Sequence, residues 1–153
     1  VEELQANGSV SLKSGQLGNF SFVQTQAITL TSGGLVDFSG AEVFTTSFTL
    51  NNAGNIFDLS GVINNFTAYT VNGADGADTI IGGESGDTLN GGGRDDTLTG
   101  GAGRDTINGG IGNDRMVIAA QSDIVAGESY NGGTGFDRLD IETASPSKVG
   151  RRR

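Results

Sequence analysis

Five aspartates stand nine residues apart: Asp78, Asp87, Asp96, Asp105 and Asp114. Each follows a glycine-rich stretch, and two residues after each comes an apolar side chain: Ile80, Leu89, Leu98, Ile107 and Met116. The units read GADGADTII (73–81), GGESGDTLN (82–90), GGGRDDTLT (91–99), GGAGRDTIN (100–108) and GGIGNDRMV (109–117). A sixth, GGTGFDRLD (132–140), follows an interruption at 118–131. Carboxylates and backbone carbonyls are hard oxygen donors. Calcium takes about six to eight such oxygens, more than one short turn can supply, so two turns must share an ion. Glycine suits such a turn, because aiming carbonyls at a central ion requires positive φ and close backbone approach.

Composition narrows the chemistry further. There is no cysteine and no histidine. Thiolate sites are therefore excluded, and zinc, copper and haem are poor candidates. No Ser/His/Asp, Cys/His or HExxH set can exist, and the chain is expected not to be an enzyme, whatever domains a parent protein carries. The formal charge is −9, and twelve of the 18 acids lie between Asp75 and Asp140. Such a concentration repels phosphates and argues against nucleic acid. No apolar run is long enough to span a membrane, and no signal-peptide pattern is visible. The chain opens Val1-Glu2-Glu3, which reads as a piece of a longer protein.

These ligands must be positioned by a repeat architecture. The 27 glycines compare with roughly 11 at average usage, and only one proline accompanies them. In each unit the first six residues suit a turn and the last three a short strand. One apolar side chain per nine points inward, and Thr79, Thr88, Thr97 and Thr106 point out. Three-residue strands need neighbours above and below. The expected fold is all-β, a parallel β-roll or β-helix solenoid in which two nonapeptide turns complete each circuit.

Looser repeats precede this block. Ile28-Thr29-Leu30 with Leu35–Gly40 parallels Phe48-Thr49-Leu50 with Ile56–Gly61. Val10-Ser11-Leu12, Leu17 and Phe20-Ser21 fit the same frame, and Tyr69-Thr70-Val71 starts the next. Residues 1–70 are read as larger coils or a cap of the same solenoid, with phenylalanines along the axis. The alternative is a separate β-sandwich. The remaining boundaries are a calcium-binding roll at 71–117, an inserted loop at 118–131, a last repeat and closing strand at 132–144, and a disordered tail at 145–153.

GGAGRDTIN, GGIGNDRMV and GGTGFDRLD resemble the GGxGxDxUx repeat of RTX (repeats-in-toxin, haemolysin-type) calcium-binding proteins. In that family an ion sits between alternate turns, held by carbonyls and an aspartate from each. The resemblance implies Ala74, Gly76 and Asp78 with Gly91, Gly93 and Asp96 as one group. A second is Gly83, Ser85 and Asp87 with Gly100, Ala102 and Asp105. A third is Gly92, Arg94 and Asp96 with Gly109, Ile111 and Asp114. A fourth, Gly110, Gly112 and Asp114 with Gly132, Thr134 and Asp137, requires the interruption to loop out. About three to four calcium ions per chain are implied. Ala74, Ser85 and Arg94 depart from the glycine pattern, and Arg94 is expected to strain its turn. Asp75 and Asp95 are read as solvent-facing.

The resemblance further implies a bacterial protein exported unfolded through a type I channel, so that the roll forms in extracellular calcium and supports a larger exported protein. The chain is expected to be monomeric. A competing reading is a carbohydrate-binding or adhesive module, like those appended to alginate epimerases. There Arg94, Arg104, Arg115 and Arg138 would contact an acidic polysaccharide. They also read as charge partners of the aspartates.

Overall fold

The computed structural model describes residues 2–6, 8–13, 20–63 and 66–142. The expected tail at 145–153 and Leu17 lie outside them. Every paired strand is parallel to its neighbours. One seven-stranded sheet stacks β2 (Ser9–Leu12), β4 (Ala27–Leu30), β7 (Ser47–Thr49), β9 (Thr70–Asn72), β11 (Thr88–Gly93), β13 (Thr106–Ile111) and β15 (Ser129–Thr134). A six-stranded sheet stacks β5 (Gly34–Asp37), β8 (Asn55–Asp58), β10 (Thr79–Ile81), β12 (Thr97–Thr99), β14 (Arg115–Ile118) and β16 (Arg138–Ile141). A third, small sheet joins β1 (Glu2–Gln5), β3 (Phe20–Gln24) and β6 (Glu42–Val43). The two large sheets run through both halves, so the chain forms one solenoid of about six turns.

The nonapeptide block winds as its period dictates. Thr79↔Thr97, Ile80↔Leu98 and Leu89↔Ile107 are register partners, each pair separated by two nonapeptides. Val71, Ile80, Leu89, Leu98, Ile107 and Met116 line a narrow core, all buried. Strands β11, β13 and β15 are twice the expected length, because the first three residues of the following turn continue the ladder.

In the N-terminal coils Phe38, Phe48 and Phe57 are fully buried, with ring centroids 4.9–5.7 Å apart. Leu35 pairs with Ile56, and Asp37 with Asp58, in the expected frame. Two expected alignments shift. Phe48 pairs with Val71, not Tyr69, because the linking segment is two residues longer than the repeat frame allows. Tyr69 instead buries its ring against Phe48 and donates its hydroxyl to the Val43 carbonyl. Phe20 belongs to β3 of the third sheet, where Phe22 pairs with Glu42, so this strand does not share the frame of Phe38.

The 118–131 stretch loops out only in part. β13 and β15 stay paired with Thr106↔Ser129, and β14 and β16 with Arg115↔Arg138. The offset is the same on both sheets, one regular circuit plus five. The extra residues sit in the turn around a single 3-10 turn, Gln121–Asp123.

Candidate metal centre

One backbone bond repeats at every level and builds the site. The N–H after the acid of one level donates to the carbonyl of the residue that holds the same place one circuit earlier. On one side these bonds run from Thr97 to Asp78, Arg115 to Asp96 and Arg138 to Asp114, at 2.8–2.9 Å. On the other they run from Thr88 to Tyr69, Thr106 to Asp87 and Ser129 to Asp105, also at 2.8–2.9 Å. Side chains therefore stack in two columns. The first holds Asn55, Asp78, Asp96, Asp114 and Asp137. The second holds Tyr69, Asp87, Asp105 and Glu128.

Each aspartate of the columns uses one oxygen to hold the level before it. Oδ1 of Asp78, Asp96, Asp114 and Asp137 accepts the backbone N–H of Asn55, Asp78, Asp96 and Asp114, at 2.7–3.0 Å. In the second column Asp87 and Asp105 accept from Tyr69 and Asp87, both at 2.8 Å. The other oxygen is the informative one. Oδ2 of Asp78, Asp96, Asp105 and Asp114 is buried without a hydrogen-bond partner among the described residues. These side chains are only 1–2% exposed. A buried, unpaired carboxylate oxygen costs several kcal/mol unless something positive meets it.

The space beside those oxygens is walled by glycine. A Cβ on Gly91, Gly100, Gly109 or Gly132 would run into Oδ2 of Asp96, Asp105, Asp114 or Asp137, the aspartate of its own turn. Burial pushes the carboxyls of Asp87 and Asp105 up to about 6 and that of Asp96 up to about 7. Neighbouring acids add to this: Asp105 acts on Asp87, Asp78 and Asp114 on Asp96, and Glu128 and Asp123 on Asp105. Burial raises Asp78 and Asp114 as well. The donor set is all oxygen and anionic, and it fits a calcium-like divalent cation. Among the described residues no three acidic side chains close into a cage. The fit is therefore to two carboxylates supplemented by turn carbonyls. Each such carbonyl has two lone pairs, so Ala74 and Gly83, which accept the N–H of Gly93 and Ala102, each keep one.

The four sequence-derived groups do not come out alike. The first pairs Asp78 with Asp96 across β10 and β12, and the Gly93 N–H in β11 donates to the Ala74 carbonyl at 2.8 Å, while Gly76 lies against Gly54 one circuit earlier. The third and fourth are continuous ladders, with Gly92↔Gly110, Gly93↔Ile111, Gly110↔Gly133 and Ile111↔Thr134 in register. Their turns share positive φ at the second and fourth positions: Gly92 and Arg94, Gly110 and Gly112, Gly133 and Gly135. Arg94 adopts φ +73° and Ala74 φ +69°, left-handed values that strain a residue with a Cβ. The second group differs. Neither Gly83 nor Ser85 has positive φ, and the Gly83 N–H donates to Oδ2 of Asp87 at 2.7 Å. This turn closes on its own aspartate, while Gly101 and Gly103 in the facing turn keep the open geometry. Asp75 and Asp95 are exposed, and Asp95 accepts the backbone N–H of Asn113 at 2.8 Å.

Comparison with known families agrees with this geometry. The family model of the RTX calcium-binding nonapeptide repeat (four copies) matches residues 70–93, 81–116 and 90–125. Residues 70–125 are RTX calcium-binding repeats. No curated protein and no solved structure matches the chain. The RTX turns thus coincide with the buried carboxylate columns, and calcium is the ion they imply.

Three column members escaped the sequence reading. Asn55 and Tyr69 head the columns, and Glu128 ends the second. Three of the four turn arginines have partners within the chain. Arg115 pairs with Asp140 and Glu142 at 2.6 Å, Arg138 with Asp140 at 3.2 Å, and Arg104 donates to the Ala126 carbonyl at 3.1 Å.

Proposed function

We propose that this chain is a calcium-dependent folding module of an exported protein, and that it catalyses nothing itself. The observation that carries the reading is the pair of columns of buried carboxylates, whose Oδ2 atoms lack partners at Asp78, Asp96, Asp105 and Asp114. Adjacent carboxylates about 5 Å apart repel by roughly 1–3 kcal/mol at effective dielectric constants between water and ~20. The repulsion recurs at each level. A divalent cation at each level reverses its sign, so binding and folding of the repeats become one transition.

The ligands in this reading are Asp78, Asp87, Asp96, Asp105, Asp114 and Asp137 with the turn carbonyls of their groups. Calcium supplies charge neutralisation and cross-links successive coils. The chain's own part is to hold oxygens around each ion and to exclude water from the carboxylate columns. A module of this kind stays unfolded where calcium is scarce and folds where it is abundant, which suits passage through a type I export channel and folding outside the cell. No helix among the described residues is long and apolar enough to cross a membrane.

Calcium titration followed by circular dichroism tests the reading. Strand signal should appear cooperatively with calcium and disappear in excess chelator. A roll that persists unchanged in chelator would overturn the coupling, and a nanomolar dissociation constant would overturn the export switch.

A further inference from the structure

We propose that Asp105 and Glu128 form a further divalent-cation site at the C-terminal end of the second column, with Glu128 supplied by the inserted loop instead of a nonapeptide turn. The inference rests on the calcium-binding reading above and extends it to a residue outside every repeat motif.

The placement of Glu128 is the first ground. Five repeated backbone bonds each position the next acid in a column: Thr88 to Tyr69 positions Asp87, Thr97 to Asp78 positions Asp96, Thr106 to Asp87 positions Asp105, Arg115 to Asp96 positions Asp114, and Arg138 to Asp114 positions Asp137. The sixth such bond, Ser129 N–H to the Asp105 carbonyl at 2.9 Å, positions Glu128. Thr106 and Ser129 are register partners, so Asp105 and Glu128 occupy neighbouring levels at the strand spacing of about 4.8 Å.

Two unmatched oxygens are the second ground. Asp105 is 1% exposed, and its Oδ2 has no partner among the described residues. Oε1 of Glu128 is likewise buried and unpartnered. The other oxygen of Glu128 accepts the Tyr130 hydroxyl at 3.0 Å, which fixes the side chain. Two anionic oxygens left bare at adjacent levels need a cation between them.

The loop is held in place to deliver this ligand. Arg104 donates to the Ala126 carbonyl, and a Cβ on Gly127 would press into the Arg104 guanidinium. Gly127 has φ +95°, which glycine tolerates. Sequence phase would have chosen Asp123, one regular circuit after Asp105. Its oxygens are already used: Oδ2 accepts the Ala120 N–H at 3.0 Å and Oδ1 the Ser122 hydroxyl at 3.1 Å. Gly101 and Gly103, at the second and fourth positions of the Asp105 turn, have the positive φ seen in the open turns and would add carbonyls.

The test counts calcium on the full chain by isothermal titration, with the two tyrosine rings followed by NMR. Glu128→Gln keeps an acceptor for Tyr130 but removes the charge. It should bind one calcium fewer than the parent chain while circular dichroism still reports the roll, and the Tyr130 ring should lose its response to one calcium equivalent. Asp123→Asn should leave count and ring response unchanged. Glu128→Gln with an unchanged count, or a loss confined to Asp123→Asn, would overturn the Glu128 assignment and leave the calcium module standing. A parent chain that binds no calcium would overturn both.

Discussion

The N-terminal and C-terminal coils share two sheets, yet they solve the problem of burial in opposite ways. Between residues 23 and 62 the interior is filled by Phe38, Phe48 and Phe57 with Ile28, Leu30, Val36, Leu50 and Leu59. Its buried polar groups are neutral, as where Thr25 and Thr45 bond each other at 3.0 Å. Its acids Asp37 and Asp58 stay at the surface, each accepting from the serine two residues on. From residue 71 the core narrows to one apolar side chain per half-coil, with Val117 and Ile118 added at β14, and five aspartates are buried beside it. Hydrophobic burial stabilises the first region without help. The second trades apolar volume for charge that only a cation can neutralise. One solenoid can thus carry a permanent segment and a conditional one, provided the register passes unbroken from β8 to β10 and from β7 to β9.

Removing calcium should break the comparison open most visibly. In excess chelator, hydrogen exchange should lose protection across residues 73–142 and retain it across the phenylalanine coils. Simultaneous loss in both regions would mean that the N-terminal coils also depend on the ions. Next in size is Phe57→Ala. Phe57 is fully buried between two other rings, and truncation should cost about 3–5 kcal/mol. Denaturation of the N-terminal coils should register that loss equally with and without calcium. Asp96→Ala should behave oppositely, since Asp96 faces both Asp78 and Asp114. It should abolish two calcium ions per chain where Asp78→Ala abolishes one, as counted by titration. Equal losses for the two variants would refute the column order.

Acid gives a finer separation. The carboxyls of Asp87, Asp96 and Asp105 are raised to about 6, 7 and 6 in the folded roll, above their ordinary value of 3.8. Between those values the folded state binds more protons than the unfolded chain. Apo stability of the repeats therefore falls as pH rises from about 4 to about 7. In chelator, where the repeats are unfolded at neutral pH, strand signal should be greater at pH 5 than at pH 8. With calcium present the order should reverse, because protons then compete with the ion for the same oxygens. The phenylalanine coils should follow neither trend.

Much of this was legible in the sequence, and the failures are instructive. The nine-residue phase of Asp78 to Asp114 sets the register of the roll, because each turn has one length and each inward site one side chain. That phase could not locate Glu128, since five extra residues shift it away from Asp123. A different signal survives the shift. Asp78-Thr79-Ile80, Asp87-Thr88-Leu89, Asp96-Thr97-Leu98 and Asp105-Thr106-Ile107 are acid, hydroxyl, apolar; so is Glu128-Ser129-Tyr130. The triplet records the strand entry itself, which the insertion leaves intact. Asn55-Ile56-Phe57 keeps the same entry with an amide for the acid, and there the amide fits as a neutral cap. Asn55 Nδ2 donates to both the Asn51 carbonyl and Asp78 Oδ1, at 2.9 Å each. The N-terminal frame was harder to read. Its coils lengthen at each step from Val10 to Ile28, Phe48 and Val71, so no fixed period runs through them.

The smallest expected effect sharpens the account of the turns. Arg94 holds φ +73° at the fourth position of its turn, where Gly112 and Gly135 stand in the turns below. A left-handed residue with a Cβ is disfavoured by roughly 1–2 kcal/mol. Glycine removes that strain but widens the unfolded ensemble by about 0.4–1 kcal/mol, so the net gain from Arg94→Gly should be about 0.5–1 kcal/mol. The gain belongs to the calcium-loaded roll, because only there is the strained φ imposed. It should appear as a raised melting temperature in calcium and vanish in chelator. Ser85→Gly gives the contrasting case. Ser85 is not left-handed, so there is no strain to relieve, and the substitution should be neutral or slightly destabilising. A gain at Ser85 matching that at Arg94 would mean that the turn beside Asp87 opens on calcium binding to the geometry of the others.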